Sequence, residues 1–188
     1  MVGALSTGCA DDVAPAVRVG DSIEISNDDL LAEVAEWAGS PTLLEQLQVA
    51  TAQGDGEGSY STSFVDFLLT NRITFELHNA QFTELGLELT DQERAEVRSG
   101  LFPDPAVSEM VFEELSGSYG ERLVADVARQ FAVTEAMADT YQTWQVEALA
   151  GTDIDVNPRY GSWDPQGASV APPSGPRPAP GTGLLAEL

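Results

Sequence analysis

The stretch TSFVDFLLTNRITFELHNAQFTEL, residues 62–85, decides the fold of this 188-residue chain. As a helix it would be roughly 36 Å long, at 1.5 Å per residue. Steps of three and four place two largely apolar rows on opposite faces. The first row holds Phe64, Leu68, Asn71, Phe75, His78, Phe82 and Leu85, and the second holds Val65, Leu69, Ile73, Leu77 and Ala80. Because a helix that is apolar on two sides is normally buried, the stretch predicts a central helix. Gly86 is expected to close it in the left-handed conformation.

Shorter helices are predicted on both sides of the central helix, each from a capping signal at its start. The predicted starts are Ser26 or Asn27, Ser40-Pro41, the capping box Thr90–Glu93, Asp104-Pro105, a helical segment over 121–131, and a last cap at Thr134. The last helix is expected to end near Ala150. The sequence therefore predicts a mainly α fold, with six or seven helices around one long central helix.

Short alternating segments lie at both ends of this helical region. Val17–Val19 and Ser22–Ile25 alternate apolar and polar residues around Gly20-Asp21, which is typical of a β-hairpin. Ile154–Val156 alternates again more than a hundred residues later. We expect this third strand to pair with the hairpin, so that a small sheet joins the N- and C-terminal ends.

Composition divides the chain into three parts. Residues 14–164 are predicted to form one helical domain, preceded by a short tether over 1–13. Residues 165–188 are rich in proline, glycine and alanine, as in ASVAPPSGPRPAPGTG at 168–183. Such a composition lacks the apolar residues needed for a packed core, so this tail is expected to be disordered.

Charge restricts the partners that the protein can have. The formal net charge is -23, and all basic residues are arginines. Nucleic-acid phosphates and anionic lipid headgroups would both be repelled by such a surface. We therefore expect no nucleic-acid partner, and membrane attachment only through a covalent lipid anchor.

Cys9 is the single cysteine, so an internal disulfide is excluded. The segment LSTGC, residues 5–9, resembles the lipobox of bacterial lipoproteins, in which the cysteine becomes diacylated. Its leucine is one place further from the cysteine than usual, and the charged and apolar regions of a signal peptide are missing. We expect Cys9 to be lipidated and the domain to be extracytoplasmic, anchored to the cell membrane. The alternative is a free thiol in a mobile N-terminus.

The order of the elements resembles a known chaperone family. Residues 17–30, which begin VRVGDSIEIS, resemble the opening of the SurA/PrsA-like chaperone N-terminal domain. ELGLELTDQE, residues 84–93, is similar to the helix-turn-helix joint of that family. VNPRYGSWD, residues 156–164, resembles the C-terminal signature of actinobacterial SurA-like lipoproteins. The resemblance covers about residues 14–164 and implies a polypeptide-binding module. Larger foldases of the family add a parvulin-type prolyl isomerase domain, and nothing of that size follows Asp164.

No residue pattern predicts catalysis, a metal or a cofactor. His78, the one histidine, lies on the apolar face of the central helix and is expected to be a hydrogen-bonded core residue. Zinc would need further histidine or cysteine ligands. Paired carboxylates such as Asp28-Asp29 and Glu113-Glu114 fall at helix starts and polar faces rather than across a cleft.

The predicted function is that of a non-catalytic, ATP-independent holdase for unfolded or secreted polypeptides. The alternative is a lipoprotein scaffold or accessory subunit that binds one dedicated envelope partner. The candidate client contacts are Phe82, Met110, Met137, Trp144, Tyr160 and Trp163. Core packing is the other role considered for these side chains. For Tyr160 and Trp163 it would mean plugging one end of the helical core.

Overall fold

The computed structural model describes residues 14–49, 52–54 and 59–173. The strands are β1 (Val17–Val19), β2 (Ile23–Ile25), β3 (Ile154–Val156), β4 (Ser162–Asp164) and β5 (Ser169–Ala171). The helices are α1 (Asn27–Ala38), α2 (Pro41–Gln46), α3 (Thr62–Glu84), α4 (Asp91–Gly100), α5 (Pro105–Glu114), α6 (Gly117–Met137) and α7 (Tyr141–Gly151). A 3-10 turn, Ala138–Thr140, separates α6 from α7. The predicted mainly helical fold with a small sheet is confirmed.

Helix α3 is the central helix that the sequence predicts. Its buried residues come from both apolar rows: Phe64, Leu68, His78 and Phe82 from the first, and Leu69, Ile73 and Leu77 from the second. Helix α6 packs along α3, and α1 and β5 contact it as well. Gly86 follows the helix with a φ of 64°, the left-handed conformation expected at this position.

The sheet joins the two ends of the domain, as predicted. Its order is β2-β1-β3, with both pairs antiparallel and Val17 opposite both Ile25 and Val156. Side chains reinforce this closure. The Asn27 amide donates to the Ala14 carbonyl at 2.8 Å, and the Tyr160 hydroxyl donates to Asn27 Oδ1 at 2.9 Å.

The predicted domain end at residue 164 is wrong, because the ordered chain continues through residues 165–173. Strands β4 and β5 form an antiparallel hairpin, in which Trp163 lies opposite Val170. Val170 is buried, and its amide donates to the Thr70 hydroxyl of α3 at 3.0 Å. The burial of Val170 and the backbone pairing with β4 therefore fix residues 165–173, although the composition of this segment predicted disorder. Residues 1–13 and 174–188 lie outside the described residues.

The predicted helix start at Thr134 is also wrong. Helix α6 runs without interruption to Met137, and the Thr134 hydroxyl donates to the Gln130 carbonyl at 2.8 Å. A threonine inside a helix can bond back to the carbonyl four residues earlier, so the same residue type serves a cap or an interior position. The helix instead ends at Met137, because the φ of Ala138 is 44°.

A buried polar seam links α3 to α6, formed by Arg72, Asn79, Asp126 and Arg129. Asp126 is buried, and its carboxylate accepts from Arg72 at 3.2 Å, from Asn79 at 3.0 Å and from Arg129 at 3.3 Å. Arg72 is also bonded to Glu76 within α3. Both oxygens of Asp126 are thus satisfied, as a carboxylate removed from water requires.

A second polar cluster links α1 to α6. Glu33 accepts from the Tyr119 hydroxyl and from Arg122, each at 3.1 Å. The Trp37 indole donates to the Tyr119 oxygen. Burial raises the pKa of Glu33, and nearby Arg122 partly opposes that shift. These groups bond to one another and fasten α1 onto α6.

None of the described helices combines the length and apolar character needed to cross a membrane.

Candidate functional site

The fold brings together three of the six candidate client contacts. Phe82 of α3, Met137 at the end of α6 and Trp144 of α7 meet in a small apolar cluster separate from the main core. We call this set the α7 cluster. Its buried members are Phe82, Val133 and Tyr141, and its half-buried members are Leu87, Leu89, Ala132, Met137 and Trp144.

His78 lies against the α7 cluster and is 1% exposed. Its Nδ1 is 2.7 Å from the Thr74 carbonyl oxygen, and its Nε2 is 2.9 Å from the Tyr141 hydroxyl. Because a carbonyl only accepts, Nδ1 carries the proton and Nε2 accepts from Tyr141. The Trp144 ring meets the imidazole edge-on, with 5.1 Å between ring centroids. His78 is therefore the hydrogen-bonded core residue that the sequence predicts.

Helix α7 lies beside this part of α3. The crevice between the two helices has no room for a water molecule. Its lining residues are Thr74, Leu77, His78, Trp144, Gln145, Ala148 and Leu149. A ligand could therefore enter this crevice only if α7 moved.

Exposed apolar side chains gather near the same cluster. Among the described residues, five large hydrophobic side chains are exposed: Phe67, Leu85, Met110, Phe131 and Val146. Leu85, Phe131 and Val146 each lie within three residues of a member of the α7 cluster, with exposed fractions of 41%, 60% and 66%. Leu85, Phe131 and Val146 are thus exposed apolar side chains close in sequence to the α7 cluster.

Acidic residues flank the same region. Glu84, Glu88, Glu135, Asp139 and Glu147 are exposed, and each lies within three residues of a cluster member. The guanidinium of Arg129 lies 6.0 Å from the centre of the Phe82 ring, but it is paired with Asp126. The surroundings of the α7 cluster are therefore negatively charged.

The other candidate contacts lie elsewhere. Tyr160 is buried beside the sheet through its bond to Asn27, and the Trp163 indole donates to the Leu149 carbonyl at 3.2 Å. Both positions fit the alternative that these two aromatics plug one end of the core. Met110 is 50% exposed on α5, at a distance in sequence from the α7 cluster. Phe82 is buried, so it offers no surface to a client in this structure.

Sequence reasoning placed His78 on the same helix face as Phe82, but it missed Tyr141 and Val133 as neighbours of the candidate contacts. One signal was present, because Tyr141 and Trp144 are three residues apart and so share a helix face. The contact between that face and His78 spans 63 residues and has no counterpart in a local pattern.

No group of three or more histidine, cysteine, aspartate or glutamate side chains in the described part of the chain is arranged to hold a metal ion. Cys9 lies outside the described residues, so its lipidation stays a prediction.

His78 predicts a loss of stability on the acid side of neutrality. Burial lowers the pKa of His78, and its bond to the Thr74 carbonyl opposes this shift. As the pH falls below the ordinary value of 6.5, the unfolded chain binds a proton that the folded chain refuses, so the free energy of unfolding falls. One linked proton limits the slope to about 1.4 kcal/mol per pH unit. Urea unfolding between pH 7.5 and pH 5 measures it.

The matched variant for this measurement is His78→Gln, which keeps polar contacts but does not titrate. Its unfolding free energy should depend less on pH than that of the wild type below pH 6.5. The raised pKa of Glu33 acts in the opposite direction, stabilising the fold as the pH falls, but it is common to both proteins and cancels in their difference. Parallel pH profiles for the two proteins would contradict the prediction.

Comparison with known proteins identifies no relative: no protein-family model, no curated protein and no solved structure matches this chain.

Proposed function

We propose that this protein is a non-catalytic, ATP-independent holdase that shields unfolded or secreted polypeptides from aggregation. The resemblance to SurA/PrsA-like N-terminal domains suggests this function, and lipidation of Cys9 would place it at the outer face of the cell membrane. The α7 end of the molecule is the proposed contact region.

One observation carries the proposal: apolar contact residues converge at one end of an acidic domain. Phe82, Met137 and Trp144 meet in the α7 cluster. Exposed Leu85, Phe131 and Val146 lie close to that cluster in sequence. An apolar surface surrounded by charge is typical of protein-binding sites, since the apolar part supplies affinity and the charged part keeps the complex in solution.

The energetics suit capture and release. A client that buries roughly 300 Å² of apolar surface gains about 7 kcal/mol, at 25 cal/mol per Å². Association costs an estimated 4 to 15 kcal/mol in lost freedom of motion, so even at the lower limit the apolar contact leaves only about 3 kcal/mol. Binding through these side chains alone is therefore weak and reversible, so release needs no nucleotide hydrolysis.

The experiment is light scattering from an aggregating client of net positive charge, with and without the purified protein. We expect suppression at a few-fold molar excess, weaker at high salt because screening reduces the attraction to the acidic surface. The triple variant Leu85→Ser/Phe131→Ser/Val146→Ser should lose most of the suppression. Met110→Ser is the matched control, because it removes one exposed apolar side chain distant in sequence from the α7 cluster.

Two results would overturn the proposal. Unchanged aggregation at several-fold excess of wild-type protein would favour the scaffold alternative, which predicts one stoichiometric partner and no general protection. Equal losses in the triple variant and in Met110→Ser would show that the contact region is not at the α7 end.

A further inference from the structure

Helix α7 begins differently from every other α-helix in the described part of the chain. The other six have a side chain that accepts a hydrogen bond from a backbone amide in the first turn: Ser26, Ser40, Ser61, Thr90, Asp104 and Ser116. Thr140, at the start of α7, makes no such bond, and neither does Met137 before the 3-10 turn. The first turn of α7 therefore lacks the stabilisation that a capping side chain gives the others.

The connection to α7 is also strained. Ala138 has φ 44° and ψ -117°, a combination that residues with a Cβ rarely adopt. A rearrangement of this connection relieves that strain, whereas a rearrangement inside α6 or α7 would break helical hydrogen bonds. Residues 138–140 are consequently the hinge at which α7 separates most easily from α6.

The geometry allows the first half of α7 to lift while its other end stays in place. The Trp163 indole holds the Leu149 carbonyl, and β3 begins shortly afterwards in the sheet. Unwinding the three-residue 3-10 turn, from about 2.0 to about 3.3 Å per residue, adds roughly 4 Å of reach. A displacement of that size would break the 2.9 Å hydrogen bond between Tyr141 and His78 while the C-terminal end of α7 stays in place.

What lies beneath α7 indicates what can replace it. The position beside α3 is occupied by one face of α7, an 11-residue helix. If α7 lifts, the shape of this position fits another helix. Thr74, Leu77 and His78 of α3 face α7 across the crevice, and Phe82 and Val133 of the same apolar cluster adjoin Tyr141 and Trp144. The exposed acidic residues Glu84, Glu88 and Glu135, which do not move with α7, lie within three residues of cluster members. An amphipathic helix with an apolar face and basic residues on its other face complements both properties.

We propose that α7 is a displaceable lid, and that the surface beneath it binds a basic amphipathic helical segment of a client polypeptide. This inference rests on the proposed function of polypeptide binding and names the site, the movement and the chemistry of the bound segment. The Tyr141–His78 hydrogen bond and the edge-on Trp144–His78 contact hold the lid closed.

The test uses two synthetic peptides of equal length and matched leucine pattern, one with lysine and one with glutamate on the polar face. Fluorescence anisotropy measures their binding to the full chain. We expect the lysine peptide to bind at least tenfold more tightly than the glutamate peptide at low salt, and to lose affinity as salt is raised. Equal affinity for the two peptides would overturn the proposed ligand class.

Two variants should shift the equilibrium between the closed and the open position of α7 in opposite directions. Tyr141→Phe keeps the ring in the α7 cluster but removes the bond to His78, so the open population rises. Ala138→Gly relieves the positive φ of the closed state, so the open population falls. Since apparent affinity scales with the binding-competent fraction, lysine-peptide affinity should rise several-fold in the first variant and fall about threefold in the second. Ala136→Gly is the matched control for the added glycine, and it should leave the affinity unchanged.

Unchanged affinity in both lid variants would overturn the lid. The outcomes also distinguish the lid proposal from the proposed holdase function. If the variants suppress client aggregation as the wild type does while peptide affinity does not change, the lid is wrong and the holdase stands. If peptide affinity follows the lid variants but no client is protected from aggregation, the lid stands and the holdase is wrong.

Discussion

Replacing Asp126 with alanine is expected to lower the free energy of unfolding by about 3 kcal/mol, because buried charges lose their partner. Asp126 accepts hydrogen bonds from Arg72, Asn79 and Arg129 across the contact between α3 and α6. In the variant Arg72 keeps Glu76 as a partner, and Arg129 is partly exposed to water. Neither guanidinium would therefore be buried without any polar partner. The loss should still exceed that of any exposed ion pair. Urea unfolding followed by circular dichroism measures it.

The control for this prediction is Glu121→Ala, which breaks an ion pair of similar geometry at the surface. Glu121 accepts from Arg98 at 2.7 Å, but both side chains are exposed. Exposed pairs contribute little, roughly 0 to 1 kcal/mol. Asp126→Asn, which keeps the shape and one acceptor, should fall between the two. If Asp126→Ala costs no more than Glu121→Ala, the seam does not hold α3 against α6.

Gly161→Ala is expected to detach the β4–β5 hairpin from α3, at a cost of roughly 3 kcal/mol from backbone strain and steric conflict. Gly161 has φ 126°, a conformation that favours glycine, and an added Cβ would lie 2.0 Å from the Ala171 carbonyl oxygen. That oxygen belongs to the partner strand and cannot move without breaking the pairing of Ser162 with Ala171. Faster proteolysis and faster amide exchange over residues 162–171 are the measurements.

Gly100→Ala is the control for Gly161→Ala, and we expect it not to destabilise the protein. Gly100 is the last residue of α4, and an added Cβ there would meet no atom within 4 Å. Alanine in a helix is favoured over glycine by up to about 1 kcal/mol, so this variant should be neutral or slightly more stable. A Gly161→Ala protein with wild-type exchange over 162–171 would show that the hairpin tolerates the extra carbon.

Local patterns in the sequence were sufficient for much of the fold. Ser26, Ser40, Thr90 and Asp104 cap the helices that they were expected to cap. Each of these caps joins atoms two or three residues apart, so the information is contained in a few consecutive residues. The two apolar rows of α3 likewise follow from its own periodicity, and they predicted its burial on both sides.

The candidate site was only partly predictable, because its contacts join residues of different helices. Phe82, Met137 and Trp144 could be selected as apolar residues on helices, but their meeting depends on where α6 ends. That end is Met137 rather than Phe131, where the helical segment was expected to end before a new cap at Thr134, and nothing in the residue types distinguishes the two. Tyr141 reaches His78 only after α6 and the 3-10 turn have placed α7 against α3.

The sequence by itself determined the helical class, most helix starts and the strand segments at the two ends of the domain, because capping, periodicity and alternation act between near neighbours. Tertiary structure alone decided that residues 165–173 are ordered, that Asp126 lies among two arginines and an asparagine, and that α7 covers His78. The Val170–Thr70, Arg72–Asp126, Asn79–Asp126 and Tyr141–His78 contacts join residues distant in the chain, whereas the β4–β5 pairing and the Arg129–Asp126 pair are local. Their formation depends on burial and on hydrogen-bond partners that exist only once the helices have packed.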